Sequence, residues 1–423
     1  MAKITEVTAR QLIDCKCRPL VEVDVLTDDG HLGRGSAPTG SSVGRFEAAV
    51  LRDGDPAEYG GLGVHKAVEN VKRILGPALI GMDIGDQRAL DERMIGLDGT
   101  PDKSRLGGNA IYSASIACLR AAAACAGVPV YRHLKGGPVR SVPVPAFNIV
   151  NGGRYGDVIL AFNEFLVVPH RAAGICEAVE IGVKCLAALG DVLRRYLKAE
   201  PMVGRSYGWA APSEDPEVVL GLMRDMLAEN GWLDQVAFAL DCASSEMYDA
   251  ASRTYLLKGK RVDATELIGF AKRLSEKYPL VFIEDLLDEE DWDNYPVASR
   301  EITRSLMIGD DLTVSNLARI RRAYESGAVR GFILKPNQVG TVTEALDAHA
   351  YARERGMLSI PSGRAGGVVD DVVMDFSVGL EVPLQKNGAP RSGERIDKLN
   401  FLMRAADLND GCRMCDISGL ARF

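Results

Sequence analysis

The sequence predicts an α/β protein whose second half is a (β/α) barrel. Short apolar runs recur there, about every 25 residues from Glu284 onward, the length of one strand–loop–helix–loop unit. Amphipathic stretches separate the runs, the pattern of parallel strands buried on both faces. Each run also ends in a polar residue suited to chemistry. Phe238-Ala239-Leu240 leads to Asp241, Leu280 to Ile283 leads to Glu284, Leu306 to Gly309 leads to Asp310, and Phe332-Ile333-Leu334 leads to Lys335. Met357 to Ile360 then runs into Pro361-Ser362-Gly363-Arg364, and Val382 to Gln385 runs into Lys386. In a barrel such residues gather at the carboxyl ends of the strands. Three carboxylates converging there offer oxygen ligands only, which suits a hard divalent cation such as Mg²⁺. Two lysines at the same mouth supply a base and an anion clamp.

Size and composition set the frame. The 423 residues are enough for a large barrel and a second domain. A hydrophobic share of 47% with 26% charged residues is ordinary for a globular protein. The net charge of −8 and the lack of Lys/Arg runs argue against a nucleic-acid partner. No apolar stretch approaches membrane-spanning length and Met1 to Thr5 has no signal-peptide core, so a cytoplasmic protein is expected. The nine cysteines are scattered and odd in number, which is no disulfide framework. Cys412-Arg413-Met414-Cys415 has C-x-x-C spacing but lacks the second ligand pair that a zinc site needs.

From the N-terminus, Ile4 to Leu12 and Leu20 to Val25 read as a hairpin, with a third strand after Asp28-Asp29-Gly30. Gly33 to Gly44 is rich in small residues and reads as a lid loop. Residues 64–98 and 107–135 read as helices, and Gly136-Gly137-Pro138 marks a boundary between domains 1–137 and 138–423. Phe162 to Pro169 reads as a strand with Glu164 inside it, a carboxylate that needs a partner.

Taken together, these segments resemble the enolase family nearly end to end. The resemblance rests on Pro38 to Gly44, Leu106 to Ile111, Asn148 to Gly153 and Leu240 to Glu246. It continues through Ile283-Glu284-Asp285, Gly309 to Val314, Leu334 to Gly340 and Lys386 to Pro390. It implies an N-terminal α+β capping domain on a modified barrel, a homodimer or higher homo-oligomer, one or two Mg²⁺, and a small anionic phosphorylated substrate. By position, Asp241, Glu284 and Asp310 look like the metal ligands, with Ser42 a lid ligand for a second ion. Lys335 looks like the base that removes the C2 proton of 2-phosphoglycerate. Lys386 looks like the clamp on the substrate carboxylate, Arg364 like the phosphate-binding arginine, and Glu164 like an acidic residue on the leaving-group side.

The departures from the family pattern fall on that leaving-group side. Tyr207 stands where a Gly-Asp-Glu-Gly-Gly glutamate is expected. A Ser-His-Arg-Ser loop is Ser362-Gly363-Arg364-Ala365, a histidine is Tyr155, a glutamine is Asn163, and the lid histidine region reads Arg45-Phe46. General acid assistance is typically worth about 10²–10⁴-fold, so the resemblance implies a lyase specialised for 2-phosphoglycerate or a C3-modified analogue. Arg45, Arg154 and Arg205 add positive charge around C3. The branch matching that description makes carboxyphosphonoenolpyruvate in phosphonate (phosphinothricin-type) antibiotic biosynthesis. Three alternatives stand beside it: an ordinary enolase with Tyr207 as a substitute acid, a catalytically silent homologue with a binding role, and enolate chemistry turned to racemisation or another elimination.

Overall fold

The computed structural model describes residues 2–40, 44–155, 158–159 and 162–421, without the side chains of 154, 155, 158 and 159. The lid ligand expected at Ser42 and the side chains of Arg154 and Tyr155 lie outside the described residues.

An antiparallel sheet opens the chain: β1 (Ile4–Ile13), β2 (Pro19–Thr27) and β3 (Leu32–Ser36), with β2 central. The alternation of Val21, Val23 and Val25 puts one apolar face of β2 against helix α2 (Gly108–Cys125), while α1 (Gln87–Asp98) packs beside α2. Gly33 and Gly35, expected in a mobile loop, are strand residues of β3. A Cβ on them would lie 2.0 Å from the Ala117 carbonyl oxygen and 2.2 Å from that of Ser113, so glycine here permits close strand–helix approach. The helix expected over 64–98 is interrupted before Asp86, whose side chain caps α1 by accepting from the Ala89 N–H at 3.0 Å. The helix expected to reach 135 stops at Cys125, and a new one starts after Pro129.

The second domain is a curled sheet of β4 (Val144–Asn151), β5 (Glu164–Val168), β6 (Ala237–Asp241), β7 (Leu280–Glu284), β8 (Leu306–Gly309), β9 (Gly331–Leu334), β10 (Leu358–Pro361) and β11 (Leu384–Lys386). Its spatial order is β10-β9-β8-β7-β6-β5-β4-β11, and a parallel bridge between Ser362 and Lys386 brings the two outer strands together. Strands β6 to β10 run parallel, as their continuous apolar runs predict. One set of residues, including Val144, Leu166, Ala239, Val281, Ile308, Ile333 and Leu384, forms a separate cluster of its own, the barrel interior. The rest of the core lies between the sheet and its surrounding helices.

One strand departs from the all-parallel expectation. β5 runs antiparallel to both neighbours, with Glu164 opposite Asp241 and Asn151. Glu164 is therefore the first residue of its strand, not a mid-strand residue. Reversal of β5 places that first residue at the mouth where its neighbours end. A modified barrel of this kind delivers a carboxylate from a strand start to the same place as carboxylates from strand ends.

Candidate active site

Side chains from successive strands meet at this mouth. Lys386 Nζ lies 2.7 Å from Asp241 Oδ2, 2.7 and 2.8 Å from the two Glu284 oxygens, and 3.4 Å from Glu164 Oε2. Asn163 Nδ2 donates to the same Asp241 oxygen at 3.1 Å. Lys335, just past β9, is paired with Asp310 Oδ2, and Gln338 Nε2 donates to the other Asp310 oxygen at 3.0 Å. All these groups are buried or nearly so, so the ion pairs are weakly screened.

Burial and the neighbouring Asp241 charge push Glu284 well above the usual carboxylate range, against the pull of Lys386. Burial would raise Asp310 too, but Lys335 and Lys386 outweigh it and hold it low. Burial would lower Lys335, yet the Asp310 carboxylate wins and raises it. The adjacent acid thus reverses the lowering that burial and the nearby Arg364 and Lys386 cations would impose on Lys335.

Asp285, Asp310 and Asp311 form an acidic cluster that could hold a metal ion, each offering a carboxylate oxygen within 4.8 Å of the others. Burial pushes Asp285 well above its usual range and Asp311 up to about 7, with Asp310 adding to both. Buried, mutually repelling carboxylates with oxygen donors only fit a hard divalent cation such as Mg²⁺. Asp285 is also tied to the backbone, accepting from the Asp310 and Asp311 N–H groups at 2.9 and 2.7 Å. That grip fixes the turn that aims Asp310.

A cavity of about 190 Å³ opens over these groups. Asn163, Glu164, Asp241, Asp310, Lys335 and Lys386 line it on the acidic side. Arg205, Ser206, Ser362, Gly363, Arg364, Arg395 and Lys398 line it elsewhere. Arg364 is gripped by buried Glu47 through bonds of 2.7 and 3.0 Å, which fixes its guanidinium.

Two residues expected at the site are elsewhere. Tyr207 is not among the cavity-lining residues: its hydroxyl donates to the Cys15 carbonyl at 3.5 Å, and its ring sits 5.0 Å from the Arg395 guanidinium. Its backbone is left-handed, φ 67°, a turn that presents the preceding Ser206 and Arg205 to the cavity instead. Arg45 is exposed, its guanidinium 5.6 Å from the Phe46 ring, and does not line the cavity. Sequence reasoning passed over Glu246, Asp285, Asp311, Asn387, Arg395 and Lys398, all of which line it. Asp285 and Asp311 carry a signal in sequence, each directly following a strand-end acid. Arg395 and Lys398 carry none beyond their i,i+3 spacing.

A capped (β/α) barrel with lysines and buried acids around an oxygen-only metal cluster is the architecture of a Mg²⁺-dependent carbon–oxygen lyase. Comparison with known proteins narrows that class. Residues 4–134 match the family "Enolase, N-terminal domain", and residues 139–413 match "Enolase, C-terminal TIM barrel domain". A protein named "Enolase" from Methanopyrus kandleri is 40% identical over 427 residues, covering 100% of this chain and 98% of that protein. Another "Enolase", from Methanosarcina barkeri, is 39% identical over 404 residues, covering 95% and 94%. The chain belongs to the enolase family. Among the described residues no helix is long and apolar enough to cross a membrane.

Proposed function

We propose that this protein removes the C2 proton of 2-phosphoglycerate and expels the C3 hydroxyl to give phosphoenolpyruvate. The observation that carries the reading is the pairing of two buried lysines with strand-end acids, Lys335 with Asp310 and Lys386 with Asp241 and Glu284. Lys335 takes the C2 proton, and Lys386 holds the substrate carboxylate. Arg364, anchored by Glu47, takes the phosphate. Glu164 and Ser362 face the departing group. Asp241, Glu284 and Asp310 would hold Mg²⁺, with Asp285 fixing the Asp310 turn. A bound cation would supply charge stabilisation for the developing enolate and would offset the Asp310 charge that holds the proton on Lys335. Whole-chain identity to proteins named enolase supports 2-phosphoglycerate as the substrate. A cytoplasmic homodimer is the assembly that goes with this reading, checked by sedimentation.

One observation favours a second reading. The cavity wall away from the acids has Gly363 and Ala365 where the family pattern has histidine and serine, Tyr207 stands outside it where the pattern has an acid, and the wall gathers Arg205, Arg395 and Lys398. On this reading the substrate is a C3-modified analogue with a better leaving group, as in carboxyphosphonoenolpyruvate synthesis.

The test is phosphoenolpyruvate formation from 2-phosphoglycerate with Mg²⁺, followed by absorbance. Turnover lost in Lys335→Ala supports the first reading. Lys335-dependent C2 exchange without phosphoenolpyruvate supports the second, and no exchange in any condition sinks both.

A further inference from the structure

Away from the barrel mouth, the capping domain brings together three donors of different kinds. Asp29 and His31 lie in the turn that joins β2 to β3, and Cys125 is the last residue of α2. Each offers one ligand atom, and the three atoms lie within 4.8 Å of one another. The contacts converge on a single oxygen: His31 Nδ1 lies 3.1 Å and Cys125 Sγ 3.5 Å from Asp29 Oδ1. Around a tetrahedral zinc, nitrogen and oxygen at about 2.0–2.2 Å and sulfur at about 2.3 Å stand about 3.4–3.6 Å apart. The spacing here is close to that of a ligand set.

The turn holds these donors in place. The Gly30 N–H donates to the Thr27 carbonyl at 3.0 Å, and the His31 N–H donates to Thr27 Oγ1 at 3.1 Å. Thr27 is buried, and its hydroxyl contacts both Asp29 Oδ1 and, at 3.6 Å, Cys125 Sγ. That hydroxyl, with His31 beside it, holds the Asp29 carboxyl down at about 2, so the carboxylate is ionised near neutral pH. The His31 ring is partly exposed, yet its Nδ1 is buried and has no hydrogen-bond partner among the described residues. In the tautomer protonated at Nε2, that nitrogen turns a lone pair toward a carboxylate oxygen and a thiol. Leaving it buried and unspent is costly, and a cation would use it. A second mixed set, Asp53, Glu58 and His65, lacks this feature: both Asp53 oxygens accept from backbone, the His65 N–H at 2.7 Å and the Lys66 N–H at 2.9 Å.

We propose that Asp29, His31 and Cys125 form a binding site for a zinc-class divalent cation, with solvent as the fourth ligand. The ion ties the β2–β3 turn to the end of α2 and so braces the capping domain. One nitrogen, one sulfur and one oxygen make a borderline-soft set, whereas the cluster at the barrel mouth offers oxygen alone. The two sites therefore sort cations, Mg²⁺ to the mouth and Zn²⁺ to the cap. Burial pushes the Cys125 thiol up, and ligation needs the thiolate, so each ion bound releases one proton to solvent.

The probe is Co²⁺, titrated into the reduced full-length protein with Mg²⁺ in excess so that the mouth is not the site reported. A thiolate-to-cobalt charge-transfer band is expected to saturate at one equivalent, and Zn²⁺ is expected to bleach it. Cys125→Ser should abolish the band. His31→Ala and Asp29→Asn, which leave the thiol in place, should each weaken Co²⁺ binding by about tenfold or more. Cys17 and Cys176 are exposed thiols elsewhere, and Cys17→Ser and Cys176→Ser should keep the band. Zn²⁺ should also raise the melting temperature of the wild-type protein and leave that of Cys125→Ser unmoved. No band in the wild-type protein, a band that survives in Cys125→Ser, or an affinity unchanged in both His31→Ala and Asp29→Asn overturns the site. So does a band lost in Cys17→Ser or Cys176→Ser, since the ion then sits on another thiol.

Discussion

Lys386 and Glu284 meet 2.7 Å apart at the barrel mouth, with side chains 6% and 0% exposed, and Asp241 shares the same ammonium. The lysine is what allows two neighbouring acids to be buried together. Lys386→Met would leave them facing each other uncompensated, and breaking a buried pair in this way costs about 3–5 kcal/mol. Denaturant unfolding without divalent cation should show a loss of that order. A loss below about 1 kcal/mol, the range of an exposed pair, would mean that Lys386 does not hold the acids together.

Mg²⁺ should stabilise the fold by mass action, about 2.7 kcal/mol at a hundred times its Kd. Asp310→Asn and Asp241→Asn should each abolish most of the accompanying rise in melting temperature. Should Asp241→Asn keep the full rise while Asp311→Asn loses it, the ion sits in the Asp285–Asp310–Asp311 cluster rather than between Asp241, Glu284 and Asp310.

Much of this site was legible in sequence because strand-end residues in a parallel barrel announce themselves. Asp241, Glu284 and Lys386 close their strands, and Asp310 and Lys335 directly follow theirs. Glu164 was found but misread as mid-strand, since the direction of β5 is set by its pairing partners and not by its own residues. Gly33 and Gly35 looked like loop residues because glycine signals both flexibility and close packing. Only the position of α2 decides between them. Lys398 and Arg395 could not be placed, because their helix reaches the cavity through tertiary packing around Gly363.

Tyr207 lies behind Arg395 rather than in the cavity. Tyr207→Phe removes only a long hydrogen bond to the Cys15 carbonyl and keeps the ring under the guanidinium. Turnover should stay within about twofold, well short of the 10²–10⁴ of a lost general acid. A fall of a hundredfold or more would restore the tyrosine to the chemistry.

Burial holds Asp375 up at about 7, with Arg120 pulling it down, Asp370 and Asp371 pushing it up, and the Tyr131 N–H donating to it at 3.0 Å. The folded state therefore favours the protonated acid. This contribution to stability is fully present below about pH 4, the unfolded value, and is lost as pH rises through about 7. Asp375→Asn keeps an acceptor for the Tyr131 N–H and cannot ionise. Its melting temperature relative to wild type should therefore rise between pH 5 and pH 8, about 2–4 °C for each kcal/mol. A difference that is flat with pH would show that Asp375 titrates normally.

The central claim is that Lys335 and the strand-end acids form a working enolate site. Proton NMR of 2-phosphoglycerate with the protein and Mg²⁺ in D₂O tests it most directly, following the C2 proton and phosphoenolpyruvate together, with Lys335→Ala alongside. The expected result is loss of the C2 signal in the wild-type protein, slowed by about 10²–10⁴-fold in the variant. A C2 signal that persists equally in both proteins, with Mg²⁺ bound, would contradict the claim.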